Sequence, residues 1–189
     1  MGPFDEAVFH AINKGWSSPL LDPLFVIFSQ ATLLLWVRIV LGLAALVLII
    51  KKPTLRAPIL LALVAFVAAN GATDLLKSTW PMNRPLSNGI PVHLVYDFLA
   101  KHREIVLTSS GTASAHSANT SAIAVVFLLY FGRRAWLFVL ISLLTGFSRI
   151  YVGAHYPSQV LFGWITGALI AAGFVLVYRW ISARRQQTG

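Results

Sequence analysis

The chemically loaded stretch of this chain is Gly146-Phe147-Ser148-Arg149-Ile150-Tyr151-Val152-Gly153-Ala154-His155-Tyr156-Pro157-Ser158-Gln159. It lies between two long apolar runs, yet holds an arginine, a histidine and a glutamine within about three helical turns. Charge and imidazole kept at the edge of lipid are costly, and their presence there points to function. Pro157 suits the first turn of a helix, where its missing N–H costs nothing. With a helix starting near Tyr156, Gln159 falls about one turn below His155 on the same face. An imidazole with an amide beneath it and a guanidinium beside it points to the handling of a phosphate.

Other residues of the same chemistry stand earlier in the chain. Lys77 closes an apolar run, Pro81 stops the helix from continuing, and Arg84 is held extended because Pro85 follows it. Ser114-Ala115-His116 immediately precedes another apolar run, whose first backbone N–H groups suit an anion. Three cations, a hydroxyl and free amides are what a bound phosphoryl group needs. Two histidines suggest a division of labour, one attacking phosphorus and the other protonating the departing oxygen. Each residue alone reads more simply as an interfacial anchor or a cap; the set does not.

The elements that must position these residues are membrane helices. Hydrophobic residues make up 57% of the 189 and charged ones 11%, and the mean hydropathy is +0.74. These values describe an all-α integral membrane protein, with residues 1–189 forming one domain. The net charge of +9 is carried in short clusters between apolar runs. That pattern fits membrane topology and argues against a nucleic-acid partner. Cysteine is absent, which removes disulfides and thiolate chemistry.

Residues 1–16 open on an acidic segment, unlike a cleavable leader, and predict an interfacial amphipathic helix with Phe4, Val8, Ala11 and Ile12 on one face. Apolar sequence runs from 20 to 50, too long for one span, and the polar cluster Ser29-Gln30-Ala31-Thr32 divides it. Further spans are expected over 57–76, 117–131, 135–151 and 157–178, giving six. Residues 77–116 form a long outer active-site loop, with a short amphipathic helix expected over 92–102. The basic clusters at 51–56, 133–134 and 179–185 share one side, so both termini are expected in the cytoplasm and the site outside. Arg38, one or two turns into the second span, calls for snorkelling or a partner, with substrate binding as the alternative. Gly163 and Gly167 form a GxxxG, for packing within the bundle or for a dimer seam. The expected state is a monomer or weak homodimer.

Taken together, these motifs resemble the type 2 phosphatidic acid phosphatase superfamily, which also includes vanadium haloperoxidases and bacterial lipid pyrophosphatases. Its first motif, a Lys, six residues and Arg-Pro, is complete from Lys77 to Pro85. Of its Pro-Ser-Gly-His, the chain keeps Ser114 and His116, with Ala113 and Ala115 at the other two positions. Its third motif keeps Ser148, Arg149 and His155 but has Gln159 where the family has aspartate. The resemblance implies that His155 is a nucleophile forming a phosphohistidine and that His116 is the general acid. It implies that Lys77, Arg84 and Arg149 clamp the phosphate, with Ser114 and the Ala115 N–H adding hydrogen bonds, and that no metal or cofactor is needed. A glutamine at 159 orients the His155 ring without bringing charge.

The implied activity is removal of a terminal phosphate from a lipid at the periplasmic or extracellular face of the inner (plasma) membrane, with membrane lipids as the surroundings. Polyprenyl pyrophosphate is slightly favoured over phosphatidylglycerophosphate, phosphatidate and a lipid A phosphate. The alternative is a catalytically weak relative that binds or moves phospholipid; a haloperoxidase is argued against by the membrane spans.

Overall fold

The computed structural model describes residues 2–30, 34–93 and 109–187, and every regular element among them is helical. In chain order these are α1 (Pro3–Asn13), α2 (Leu21–Gln30), α3 (Leu35–Lys51), α4 (Pro53–Thr79), α5 (Ala115–Phe131), α6 (Trp136–Tyr151) and α7 (Pro157–Gln187). Short 3-10 turns occupy Leu86–Asn88 and Gly132–Ala135. Ala31 and Thr32 of the polar break lie outside the described residues. So does most of the helix expected over 92–102, and its first two residues are not helical.

The bundle is organised on α5, which packs on α4, α6 and α7. Its buried face is made of small residues, and so are the faces it meets. Ala62, Ala65 and Ala69 of α4, Ala118, Ala122 and Val126 of α5, and Ala171 and Val175 of α7 form one cluster. Small side chains let backbones approach, which is how helices associate where lipid offers no hydrophobic contrast. The two glycines of the GxxxG show the limit of that approach. A Cβ at Gly163 would come 2.5 Å from Ser114 O, and one at Gly167 would overlap the Ala118 backbone. Both therefore serve the α5–α7 seam inside the bundle.

Among the described residues, three stretches are long and apolar enough to cross a membrane, Pro53–Thr79, Ala115–Tyr151 and Pro157–Gln187, or four if α2 and α3 count as one span bent by 61°. The middle stretch folds back on itself at Gly132–Ala135. Thr120 Oγ1 donates to Ser142 Oγ at 3.2 Å, and the rings of Phe127 and Phe138 stack at 4.3 Å. It is thus a hairpin of two helices, α5 descending and α6 returning. The ten residues of α2 reach only about 15 Å, half the thickness of the hydrocarbon core, so α2 alone is no span. It lies along α6 through Phe25, which packs against Phe147 and Tyr151.

Two boundaries differ from the sequence reading for local reasons. Helix α4 starts at Pro53, because proline fits a first turn, and Arg56 Nε reaches back to Ile49 O at 2.8 Å to close α3. Helix α7 continues through the basic tail to Gln187. There Arg179 Nη2 donates to Leu129 O at 2.6 Å and the guanidinium sits over the Tyr130 ring.

Helix α1 is held to the bundle by a face that apolar spacing does not mark. Phe4 is 81% exposed, and the residues it buries are Asp5, Phe9 and Asn13, one turn apart. Side-chain hydrogen bonds fix this face to α6 and α7, and Phe4 of the apolar face is left uncovered by protein. Because α1 packs where α6 ends and α7 begins, it sits at the opposite end of the bundle from Gln187. The two ends of the described chain therefore do not share one side, contrary to the expectation.

Candidate active site

The turn between α6 and α7 is tightly wound. Gly153 takes a left-handed φ of 81°, and Arg149 O accepts from both Ala154 N at 2.9 Å and His155 N at 3.1 Å. The arginine and the histidine are thereby tied through one carbonyl. His155 is buried, and its Nδ1 lies 3.1 Å from Gln159 Oε1, the i+4 relation expected from sequence. The amide is oriented by two further bonds. Oε1 accepts the Tyr156 N–H at 3.2 Å, and Nε2 donates to Asn83 O at 2.8 Å. An amide oxygen only accepts, so His155 Nδ1 carries the proton and Nε2 keeps its lone pair. That Nε2 faces Arg84 Nη1 at 3.4 Å.

Arg84 is placed by pairing of two loop segments. Gly111 N donates to Met82 O at 2.7 Å, Met82 N donates to Ser110 Oγ at 3.0 Å, and Thr112 Oγ1 bonds Trp80 O. The guanidinium then donates to Ser109 O, Ser110 O and Ala154 O at 3.1, 3.3 and 3.4 Å. A side chain at Gly111 would press on Gln159 at 2.7 Å and on Arg84 at 2.8 Å, so this loop position must be bare. Burial lowers the Arg84 pKa to about 10, which leaves it charged at neutral pH. His155 is held well below the usual histidine range, first by burial and then by the charges of Arg84 and Arg149.

Arg149 is buried and anchored to α2, with Nη1 donating to Ser29 Oγ and, at 3.4 Å, to Ser29 O. Its Nε is buried and has no partner among the described residues, a condition that a bound oxyanion would relieve. Lys77 ends α4 and pairs with Asp74 at 3.1 Å. Ser114 is first a helix cap: its Oγ accepts from Ser117 N at 3.4 Å, and its own N–H donates to Gln159 O at 3.0 Å. Its hydroxyl proton remains free to donate elsewhere. Ala115 opens α5, where first-turn N–H groups lack intrahelical acceptors. His116 follows, within electrostatic range of Arg149, Lys77, Arg84 and Arg38. His155 feels the charge of His116 in turn. The eight residues expected at the site therefore converge on one end of the bundle.

The residue pattern left several members unseen. Ser29 had only its place in a polar break to mark it. Asp74, three residues before Lys77 on the same helix, was visible but passed over. Asn83 and Gly111 carried no signal, since one acts through its carbonyl and the other by lacking a side chain.

The PAP2 superfamily profile matches residues 58–185, which contain every one of the eight. The chain belongs to the PAP2 superfamily. The superfamily includes phosphatases that act on lipid phosphates, and this PAP2 chain is an enzyme of that class. An undecaprenyl-diphosphatase from Sulfolobus acidocaldarius is 27% identical over 169 residues, 89% of this chain and 75% of that protein. A lipid A 4'-phosphatase from Bacteroides thetaiotaomicron is 33% identical over 79 residues, 40% of this chain and 35% of that protein. The crystal structure of Aquifex aeolicus LpxE superposes with a TM-score of 0.71 at 22% identity, covering 92% of this chain and 96% of that one, and so shares its fold.

Proposed function

We propose that this chain hydrolyses the terminal phosphate of a lipid diphosphate, with His155 as nucleophile and His116 as general acid. The observation that carries the reading is the unprotonated Nε2 of His155, set 3.4 Å from Arg84 Nη1 while Gln159 holds the opposite ring nitrogen. The Nε2 lone pair attacks the terminal phosphorus, and the bond from phosphorus to the bridging oxygen breaks. His116 gives its proton to that oxygen, which leaves on the lipid phosphate. Water, giving up a proton to His116, then attacks the phosphohistidine; orthophosphate departs and His155 is restored. Arg84, Arg149 and Lys77, with Ser114 and the Ala115 N–H, bind the oxygens as charge builds on them.

A diphosphate is favoured by the number of cations. Arg38 brings a fourth positive charge into electrostatic range of His116, beyond the three of the clamp. Counted from the inner turns, Arg38 on α3 and His116 on α5 stand at similar heights, about 20 to 25 Å up. The similarity to an undecaprenyl-diphosphatase over most of the chain supports the same substrate class.

The basic residues Lys51, Lys52, Arg56, Arg133, Arg134, Arg179, Arg184 and Arg185 lie at the end of the bundle away from the site, which favours an outward-facing site in the inner (plasma) membrane. In this arrangement the bent α2–α3 pair makes the first of five crossings, and α1 lies on the outer surface. The test is phosphate release by purified protein in detergent from polyprenyl diphosphate, polyprenyl monophosphate, phosphatidate and lipid A. Fastest release from the diphosphate is expected. A preference for a monophosphate would overturn the substrate assignment, and no release from any would overturn the reading.

A further inference from the structure

The three residues that α1 buries all grip the chain around His155. Asp5 Oδ1 accepts the Ser158 N–H at 2.9 Å, and Oδ2 accepts from Ser158 Oγ at 2.6 Å. Phe9 meets the Tyr156 ring edge-on at 5.5 Å and packs with Ile150 and Val160. Asn13 Nδ2 donates to Tyr151 O at 2.7 Å and to His93 O at 2.9 Å, while Asn13 Oδ1 accepts from His93 N at 2.8 Å. Contacts at 151, 156 and 158 thus bracket residue 155 on both sides.

The Asp5 contact has a defined helical meaning. With Pro157 as the first residue of α7, the cap position falls to Tyr156, whose ring cannot fold back onto the first-turn N–H groups. Its phenol is engaged by Asn88 instead. The bond that a Ser or Asp at the cap would make to the second residue is made by Asp5, 153 residues away. Gln159, at the third position, bonds back to the Tyr156 N–H as in a capping box. One half of the box is local, and the other half is supplied by α1.

We infer that α1 is a positioning element for His155, with Asp5 as the helix cap and Asn13 as the clamp on the far side of the turn. This inference rests on the assignment of His155 as nucleophile. Gln159 holds the ring from the first turn of α7, so fraying of that turn would swing Nε2 away from phosphorus. A misplacement of about 1 Å costs on the order of 100-fold in rate. Substrate affinity depends on the cations of the clamp, none of which α1 touches through these three side chains.

The experiment compares Asp5→Ala, Asp5→Asn, Asn13→Ala and His155→Ala as full-length proteins in detergent, with rates expressed per folded molecule after gel filtration. Asp5→Ala and Asn13→Ala should lower kcat by about 10- to 100-fold with KM within about twofold. Samples quenched in alkaline detergent, where a phosphohistidine survives, should trap less phosphoenzyme. Asp5→Asn keeps an oxygen for the Ser158 N–H and should recover most of the rate. Wild-type kcat per folded molecule in Asp5→Ala and Asn13→Ala, whatever their yield, would overturn the inference. If Asp5→Ala does not fold, Asn13→Ala decides alone by the same criterion. Retained turnover in His155→Ala would instead overturn the nucleophile assignment, so the two failures are distinct.

Discussion

Gln159 and His155 are locked in a single arrangement, because the oxygen 3.1 Å from His155 Nδ1 also takes the Tyr156 N–H while the amide nitrogen binds Asn83 O. A charge-only argument would have Gln159→Asp improve the enzyme, since a carboxylate stabilises a cationic phosphohistidine. The third bond changes that expectation. Aspartate is one methylene shorter and has no N–H for Asn83 O. We expect Gln159→Asp to fall modestly below wild type, and Gln159→Leu to lose at least about tenfold in kcat, near 1.4 kcal/mol. Wild-type turnover in Gln159→Leu would show that the amide does not set the ring.

The pH behaviour follows from His155. Burial, with Arg84 and Arg149 nearby, keeps it neutral well below the usual histidine range, so the nucleophile should not be lost as pH falls through 6.5. For stability the sign is as follows. Below about 6.5 the unfolded chain binds a proton at this residue that the folded chain refuses, so stability is full above that value and declines below it. Melting in detergent between pH 8 and 5 should show a steeper decline for wild type than for His155→Ala. Equal slopes would remove His155 from the pH dependence.

Division of labour between the histidines is tested by the leaving group. His155→Ala should abolish turnover while leaving lipid binding largely intact. His116→Ala should slow an alkyl phosphate far more than a nitrophenyl phosphate, because only the poor leaving group needs a proton. Equal losses on the two substrates would count against His116 as the acid.

Ser29 should matter although it lies about 120 residues from Arg149. Ser29→Ala removes a hydroxyl acceptor from a buried guanidinium, a loss of about 1.5–3 kcal/mol for a bond to a charged group. The expected result is a loss of about tenfold or more in kcat/KM, mostly through KM, measured with the lipid diphosphate. An unchanged KM would mean that Arg149 does not need α2 to hold it.

The clamp supplies positive charge from protein groups, so phosphate release should persist in EDTA. Vanadate should inhibit, since its trigonal-bipyramidal adduct on His155 imitates the transferring phosphoryl group. Complete loss in EDTA that Mg²⁺ restores would contradict this chemistry.

Much of the site was legible because its chemistry sits on helix ends at fixed spacing. His155 and Gln159 are four apart, and that interval places them on one face whatever surrounds them. Lys77, Ser114 and Arg149 adjoin the ends of apolar runs and Arg84 follows one in the loop, so topology brought them together. Asp5, Asn13 and Ser29 were not legible, since each reaches the site across more than a hundred residues of chain. The buried face of α1 was missed for the same reason. Apolar spacing picked Phe4 and Val8, whereas the backbone groups at Ser158, Tyr151 and His93 needed polar partners and took Asp5 and Asn13. The short reach of α2 followed from a polar break that periodicity alone could not weigh.

Helix α3 buries none of its residues and packs chiefly on α4, which leaves most of its apolar surface uncovered by the rest of the described chain. Arg38 projects from that helix into electrostatic range of His116. A substrate held in the bilayer by its tail can therefore reach the cations sideways, travelling in two dimensions without leaving the membrane. The quantity that sets its encounter rate is then the mole fraction of substrate among surrounding lipids. Diluting the substrate with inert detergent at constant bulk concentration should slow the enzyme as effectively as removing substrate.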